Sequence, residues 1–588
     1  MGKPDDMNID DTKAAEAVVV EDVNKLHLTV SQEAATPGEG EAMMTKAKWL
    51  ACIALGLGYT TQFQQGACTG AILKSIDEEL GPTNYYNWML GANTIATAVT
   101  LPLAGGISDI IGRRWFLIYG GVLGIISGIV AVSAQSIPQV IASSVLAGMG
   151  GGAQQLALAA TGELVPNKHR GKVQACLDLA ILPWTIFGTL TGGAMVTYHS
   201  LTFRINFIIG IILNTISCLM AFFCYFPPTR THKLIERGTT KWKALASLDW
   251  IGVGFLTVGL VLLLAGVALG GATYPWDHPG WIVPTVLGFV SLVSLGFWEW
   301  KGTKEPFMAR ELFAGKLRTF VLFLCVDFVA GMALYASAAF WAQLCRGVWQ
   351  VTPIKVGVLS IPGGFGGAIG GFAAGMVIGR YKYTSTKHCL IFGTILKIIA
   401  DVMLMHLKPG TIPLGLGTGF ISMVSTGWTS VSLIVCVQLT CEDEDIGLAT
   451  LMLGSVRAVG GSVAVTIYSS LLTNTMKTDA GPRVGEVVLK MGLPISSLRP
   501  LVLLLINEDT ELAGHLPGMT PEILQAARDA LAWSWTLAFK RVYTAATAFA
   551  CLACVAAIFT KDVSHAMTDH VAVRLENEKE KEKEITTA

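Results

Sequence analysis

Between residues 47 and 560 the sequence returns repeatedly to apolar runs about as long as a bilayer is thick. This constrains the fold more than any other feature. Trp250 to Gly270, for example, reads WIGVGFLTVGLVLLLAGVALG and holds no charged residue. A helix needs about 20 such residues to cross a hydrocarbon core. Fourteen candidate segments lie at roughly 47–73, 86–106, 115–134, 138–164, 173–196, 204–226, 250–270, 280–299, 319–343, 354–378, 388–407, 411–439, 447–472 and 541–560. Composition points the same way. Charged residues make up 14% of the 588, against about 25% in a soluble protein. The expectation is an all-α, multi-pass membrane protein whose first partner is the lipid bilayer.

Several function classes lose their signatures. Formal net charge is zero, so no nucleic acid is implied as a partner. No Walker A, HExxH or GxSxG pattern is present, which removes the usual marks of ATP-driven transport and hydrolysis. Cys551 and Cys554 form the one CxxC, inside the run TAATAFACLACVAAIF, where small packing residues explain them better than a metal or redox pair. A membrane-bound enzyme would need clustered histidines or paired carboxylates at one depth, and neither occurs. No enzyme activity, metal or cofactor is therefore expected. Residues 1–46 lack the apolar core of a secretory signal and read as a disordered tail. Residues 561–588, ending in ENEKEKEKEITTA, read as a solvated charged tail.

Lys and Arg fall in alternate loops. Arg113 and Arg114 share one, Lys168, Arg170 and Lys172 the next, and the basic residues from Arg230 to Lys243, Lys301 to Arg318, and Arg380 to Lys387 follow. The positive-inside tendency makes these loops cytosolic and places both termini inside. CEDEDIG after the twelfth segment is the exception. The long outer connection, 473–535, contains GMTPEILQAARDALAWSW. Thr520 can cap a helix with Pro521 at its first position and Glu522 in its first turn. Ile523, Ala527 and Leu531 then share one face. The reading is a separate amphipathic helix on the outer surface, closing the loop or serving as a lid.

Two segments echo each other. GKVQACLDLAILPWTIFGTLTGGAMV enters through Gly171 and carries Gly192–Gly193. GLATLMLGSVRAVGGSVAVTIYSSLL enters through Gly447 and carries Gly460–Gly461. Weak internal symmetry of this kind marks transporters built from repeats. It suggests two six-helix bundles, 47–226 and 319–560, with a cytosolic linker and helices 7 and 8 inserted at 227–318.

The most charged joint is GGISDIIGRRW, between segments 2 and 3. Gly105 allows a neighbouring helix close, and Gly112 allows a tight reversal. Asp109 can favour the positive end of a nearby helix. Arg113 and Arg114 can pair with carboxylates and anchor the turn at the headgroups. Glu163 is a candidate partner for Arg113. This G-x-x-x-D-x-x-G-R-R pattern resembles the loop signature of the major facilitator superfamily, with Ile110 where a basic residue is usual. ELVPNKHRGK, which contains Arg170, is similar to the superfamily's second loop motif. Gly188, Gly192 and Gly193 resemble the glycine motif that packs helix 5 in antiporters, with threonine replacing its proline. FPPTRTHK, LDWIG, YPWDHP, MGLPISSL and TDHVAVRLE narrow the resemblance to the fungal trichothecene-efflux-pump-like group, which is related to fungal siderophore transporters. The resemblance implies two bundles rocking around a central cavity, a proton gradient as driver, and export of a fungal secondary metabolite or toxin. The first loop and Arg170 would then control conformational switching.

Polar residues inside membrane segments are functional candidates by default. Gln62 and Gln65 in helix 1, Gln154 and Gln155 in helix 4, and Trp184 in helix 5 are candidates for the substrate cavity. Uncharged amides and an aromatic ring suit a neutral, oxygenated ligand. Asp178, Asp327 and Arg457 are candidates for proton coupling, with Asp327 first. Lys397 and Asp401, four apart on one helix, read as a self-neutralising pair. Ser144 stands where many drug:proton antiporters carry a helix-4 arginine, so coupling through that arginine is excluded. The expected protein is a monomeric secondary transporter of the cell membrane, with a small organic substrate and protons as partners. Two alternatives remain at this point: an importer of iron–siderophore complexes, and a transport-dead membrane sensor.

Overall fold

The computed structural model describes residues 46–568, apart from short stretches at 82, 84–87, 199–200, 228–240, 271–273, 304–305, 309, 314–315, 379–384, 444 and 507–509. The expected N-terminal tail, most of the linker before helix 7 and the C-terminal charge run lie outside these residues.

Each apolar segment forms a helix. In chain order they are α1 (Lys46–Leu80), α2 (Trp88–Ile111), α3 (Arg113–Val132), α4 (Ile137–Gln154, continued beyond Gln155 by Leu156–Leu164), α5 (Arg170–Tyr198), α6 (Arg204–Cys224), α7 (Trp250–Leu269), α8 (Pro279–Phe297), α9 (Leu322–Trp349), α10 (Pro353–Val377), α11 (Thr386–Leu404), α12 (Ile412–Thr440), α13 (Ile446–Val488) and α14 (Pro521–Phe559). Eleven helices among the described residues are long and apolar enough to cross a membrane. The others are α1, the interrupted α4, and α11, whose polar content includes Lys397 and Asp401.

The outer connection differs from expectation. α13 runs for 43 residues, about 65 Å at 1.5 Å per residue, twice the thickness of a hydrocarbon core. The helix that begins at Pro521 is not separate from the last crossing, because α14 is continuous over 39 residues. The cap itself forms as read: the Thr520 hydroxyl accepts from the Ile523 amide at 3.3 Å. Ile523, Ala527 and Leu531 are buried against Ala480 and Val484 of α13 and Leu501 of the short helix Ile495–Ile506. The apolar face that suggested a surface helix is instead the core of a small helical unit beyond the bundle.

Two long seams join the first six helices to the last six. α5 lies along α10, and α2 along α13. Glycine makes the first seam close: a Cβ on Gly364 would lie 2.7 Å from the Ile186 Cα. The inserted hairpin α7–α8 covers the second seam, where Leu264 of α7 meets Ala98 of α2 and Ala458 of α13. The bundle end carrying the 105–114 and 164–172 loops is called the basic end below. There the segment after α14 crosses from the second half to the first. Lys561 N donates to Arg318 O at 2.9 Å, and Lys168 N to Thr568 O at 3.1 Å.

Candidate functional site

At the basic end, Gly112 has φ +108°, a conformation other residues rarely adopt, and it turns α2 directly into α3. A Cβ on Gly105 would lie 2.7 Å from the Leu448 Cα, so α2 and the start of α13 touch backbone to backbone. Arg113 is 6% exposed; it donates to Asp109 Oδ1 at 3.1 Å and is ion-paired with Glu163. Its guanidinium lies under the first turn of α13, with Nη2 2.6 Å from where a Gly447 Cβ would be. Asp109 and Glu163 thus hold one buried cation against the other half of the protein. Arg114 behaves differently from the expected carboxylate pairing. It donates to Phe222 O at 2.5 Å and lies 4.1 Å over the Phe226 ring and 5.0 Å over Phe222. Phe222 on α6 and Phe226 just beyond its end offer aromatic faces, which a guanidinium stacks on readily.

Arg170 is 1% exposed and bonds across the halves. Its Nε donates to Gly162 O at 2.9 Å and its Nη1 to Gln438 O at 2.6 Å. Asp443 stands 3.9 Å from Nη2. Around these groups Leu158, Leu164, Ile434 and Leu451 form one apolar cluster drawn from both halves. The basic end is closed in this structure.

At mid-depth the candidate glutamines separate. Gln154 is buried: it accepts from Thr61 Oγ1 at 2.5 Å and donates to Asn214 Oδ1 at 2.8 Å. Asn214 in turn donates to Gly210 O at 2.8 Å. This chain ties α1, α4 and α6 together, so Gln154 packs helices and does not line a cavity. Gln155, one residue on, sits in the interruption of α4 and is half-buried; it donates to Gln62 Oε1 at 2.8 Å. Gln65 reaches Ser127 Oγ only at 3.5 Å. Trp184 is half-buried, one residue after Pro183 in α5. Gln64, which is not among the sequence candidates, is fully buried and donates to Asn206 Oδ1 at 2.6 Å. Of the helix-5 glycines, Gly188 packs on Ala67 of α1, where a Cβ would lie 2.7 Å from the alanine Cβ. Gly192 is buried, whereas a Cβ on Gly193 would meet open space, so the packing role stops short of it.

The intramembrane charges fall into three groups. Asp327, 0% exposed, accepts from Arg457 Nε at 3.0 Å and Nη2 at 2.6 Å through one oxygen. α9 and α13 can meet so closely because Gly460 faces the Phe328 carbonyl and Gly331 the Arg457 backbone. Lys397 donates to Asp401 Oδ1 and to Ser422 Oγ, both at 2.7 Å, as the self-neutralising reading requires. Asp178 stands apart. Among the described residues its carboxylate has no hydrogen-bond or ion-pair partner; it is half-buried against Gly371 of α10 and within electrostatic reach of Arg457. Tyr59 and Tyr335 are within reach of the same arginine. No group of three or more His, Cys, Asp or Glu side chains among the described residues could hold a metal ion.

The pattern of the fungal trichothecene efflux pump family matches residues 48–588. The trichothecene efflux pump of Trichoderma arundinaceum is 28% identical over 91% of this chain and 92% of its own. An MFS-type transporter of Penicillium rubens is 27% identical over 90% of this chain and 94% of its own. Among solved structures, the human organic anion transporter MFSD10 is similar with a TM-score of 0.49, at 13% identity, over 84% of this chain and 99% of its own.

Proposed function

Because the chain belongs to the fungal trichothecene efflux pump family of major facilitator transporters, we propose that it exports a neutral, oxygen-rich secondary metabolite across the cell membrane in exchange for protons. The basic end is cytosolic in this reading, the chain crosses fourteen times, and both termini lie inside. The relatives described as efflux pumps favour export over siderophore uptake. Gln62 and Gln155 offer the substrate amide groups at mid-depth, and Trp184 an aromatic face.

One observation supports the coupling: Asp178 on α5 is the intramembrane carboxylate with no bonded partner among the described residues, and it lies within electrostatic reach of a cation on the opposite half. The sequence ranks Asp327 first as proton carrier. Its geometry supports a different role, since protonating it would leave the Arg457 cation without its partner inside the membrane. Asp178 can take up and release a proton without breaking any such pair. Asp327 then holds Arg457 in place as the fixed positive charge within electrostatic reach of Asp178. The loop residues Asp109, Arg113, Glu163 and Arg170, with Gly105 and Gly112, govern switching between the two closures.

Transport into inside-out vesicles tests the assignment. Asp178→Asn is expected to fold, to bind substrate and to lose its response to an imposed pH gradient. Full pH-driven transport by Asp178→Asn would remove it as the proton carrier.

A further inference from the structure

The closed basic end depends on a residue that belongs to no loop motif. Gln438 of α12 is 0% exposed. Its Nε2 donates across the halves to Leu158 O of α4 at 3.2 Å, and within its own half to Thr450 Oγ1 of α13 at 3.4 Å. Its backbone carbonyl accepts from Arg170 at 2.6 Å. Gly162 leaves room for the amide: a Cβ there would lie 2.7 Å from Gln438 Oε1. Gln174 of α5 donates to the same Leu158 carbonyl at 2.8 Å. One residue thus joins α4, α12, α13 and the α5 start, by side chain and backbone, within an apolar layer.

Only interactions that differ between two states shift their balance. Bonds inside one half persist when the halves rock, so they leave the balance unchanged. The Gln438 bonds to Leu158 and Arg170 exist only while the basic end is closed. We propose that Gln438 is a positioning residue of the transport cycle, which holds the basic end shut and sets how long the protein stays in that state. The proposal rests on the alternating-access reading above.

Cys441, half-buried three residues further along, provides the readout. Its maleimide labelling is followed in permeabilised membranes containing the full-length chain, with Cys441→Ser giving the background. This signal depends on neither substrate nor transport direction, so it stands even if the export reading fails. Gln438→Ala is expected to raise the labelling rate about fivefold, the factor set by one lost hydrogen bond of ordinary net strength. Gly162→Ala, on the opposite half, should raise it as well, because the new methyl group displaces the Gln438 amide. Gln64→Ala also removes a fully buried glutamine, but one bonded inside the first half, and should leave labelling at the wild-type rate. Unchanged labelling in both Gln438→Ala and Gly162→Ala would overturn the proposal. If Gln438→Ala does not fold, Gly162→Ala decides alone.

Discussion

The basic end and the mid-depth region are both rich in buried polar groups, but they use them in opposite ways. At mid-depth most of the bonds stay within one half, although Ser455 Oγ also donates across to Ala98 O at 2.7 Å. Thr61, Gln154 and Asn214 belong to the first six helices, and Asp327, Arg457, Lys397 and Asp401 to the last six. At the basic end the bonds cross: Arg170 and Gln438 reach over, and Arg113 sits under α13. A bond within a half can be strong and permanent, because rocking does not touch it. A bond across the halves must be made and broken in every cycle, so it has to be weak enough to lose. The mid-depth charge relation of Asp178 to Arg457, which also crosses, is made without a hydrogen bond among the described residues.

The largest effect should follow from breaking a permanent bond. Arg457→Ala leaves Asp327 buried without its donors, which costs about 3–5 kcal/mol. The folded yield by size-exclusion chromatography should collapse, and Asp327→Ala in the same chain should restore part of it. A normal yield for Arg457→Ala would show that the pair is not structural.

The next effect separates two adjacent glutamines. Gln154→Leu leaves Asn214 and Thr61 short of a partner, at a cost of about 1–3 kcal/mol. The melting temperature should fall while substrate preference stays the same. Gln155→Leu should do the reverse, changing affinity or preference with little loss of stability. An exchange of these outcomes would break the assignment of Gln154 to packing.

Across the halves, Asp109→Asn weakens the hold on Arg113 and should slow turnover of every substrate alike, about tenfold for a coupling of roughly 1.4 kcal/mol. Binding affinity, measured at equilibrium, should be unchanged. Altered selectivity at full rate would contradict a switching role.

The smallest effect concerns the segment that crosses the basic end. Burial pushes the Asp562 pKa up, but hydrogen bonds from Ser564, from Thr386 and from the backbone outweigh it and hold it below the usual 3.8. A carboxylate lowered in this way contributes stability that is complete above its ordinary value and is lost as pH falls through the lowered one. Between about pH 8 and pH 5 the segment should therefore not loosen. Labelling of a Val563→Cys reporter, buried in the intact protein, divided at each pH by the rate for the same chain in denaturant to remove the pH dependence of the thiolate, should keep one ratio over that range; a ratio that rises toward pH 5 would show that another group controls the segment.

The helices were legible because hydropathy is local and each run is long. Arg113 with Glu163 was also legible, from charges at two loop motifs. What failed depended on direction in space. Gln154 and Gln155 look alike in sequence, but successive helical residues point about 100° apart, which turns one into the bundle and leaves the other partly exposed. The continuity of α14 was hidden because hydropathy falls at its outer part, where the apolar face meets α13 and not lipid. Asn214, Gln64 and Gln438 carry no motif. They matter through partners 60, 142 and 280 positions away in the chain. A polar residue deep in an apolar run is the one signal the sequence offers for them, and it does not set them apart from their polar neighbours.

In the proposed cycle, cross-half contacts at the basic end break during transport while contacts within a half persist. Distances between paired spin labels measure this directly. Lys172 and Glu442 are exposed at the basic end on opposite halves, and Lys172 and Trp115 are exposed there on the same half. The 172–442 pair should show a short and a long distance whose proportions change with pH or substrate, with Gln438→Ala moving it toward the long one. The 115–172 pair should show one distance throughout. A single 172–442 distance, unmoved by pH, substrate and Gln438→Ala in a protein that transports, would contradict the account.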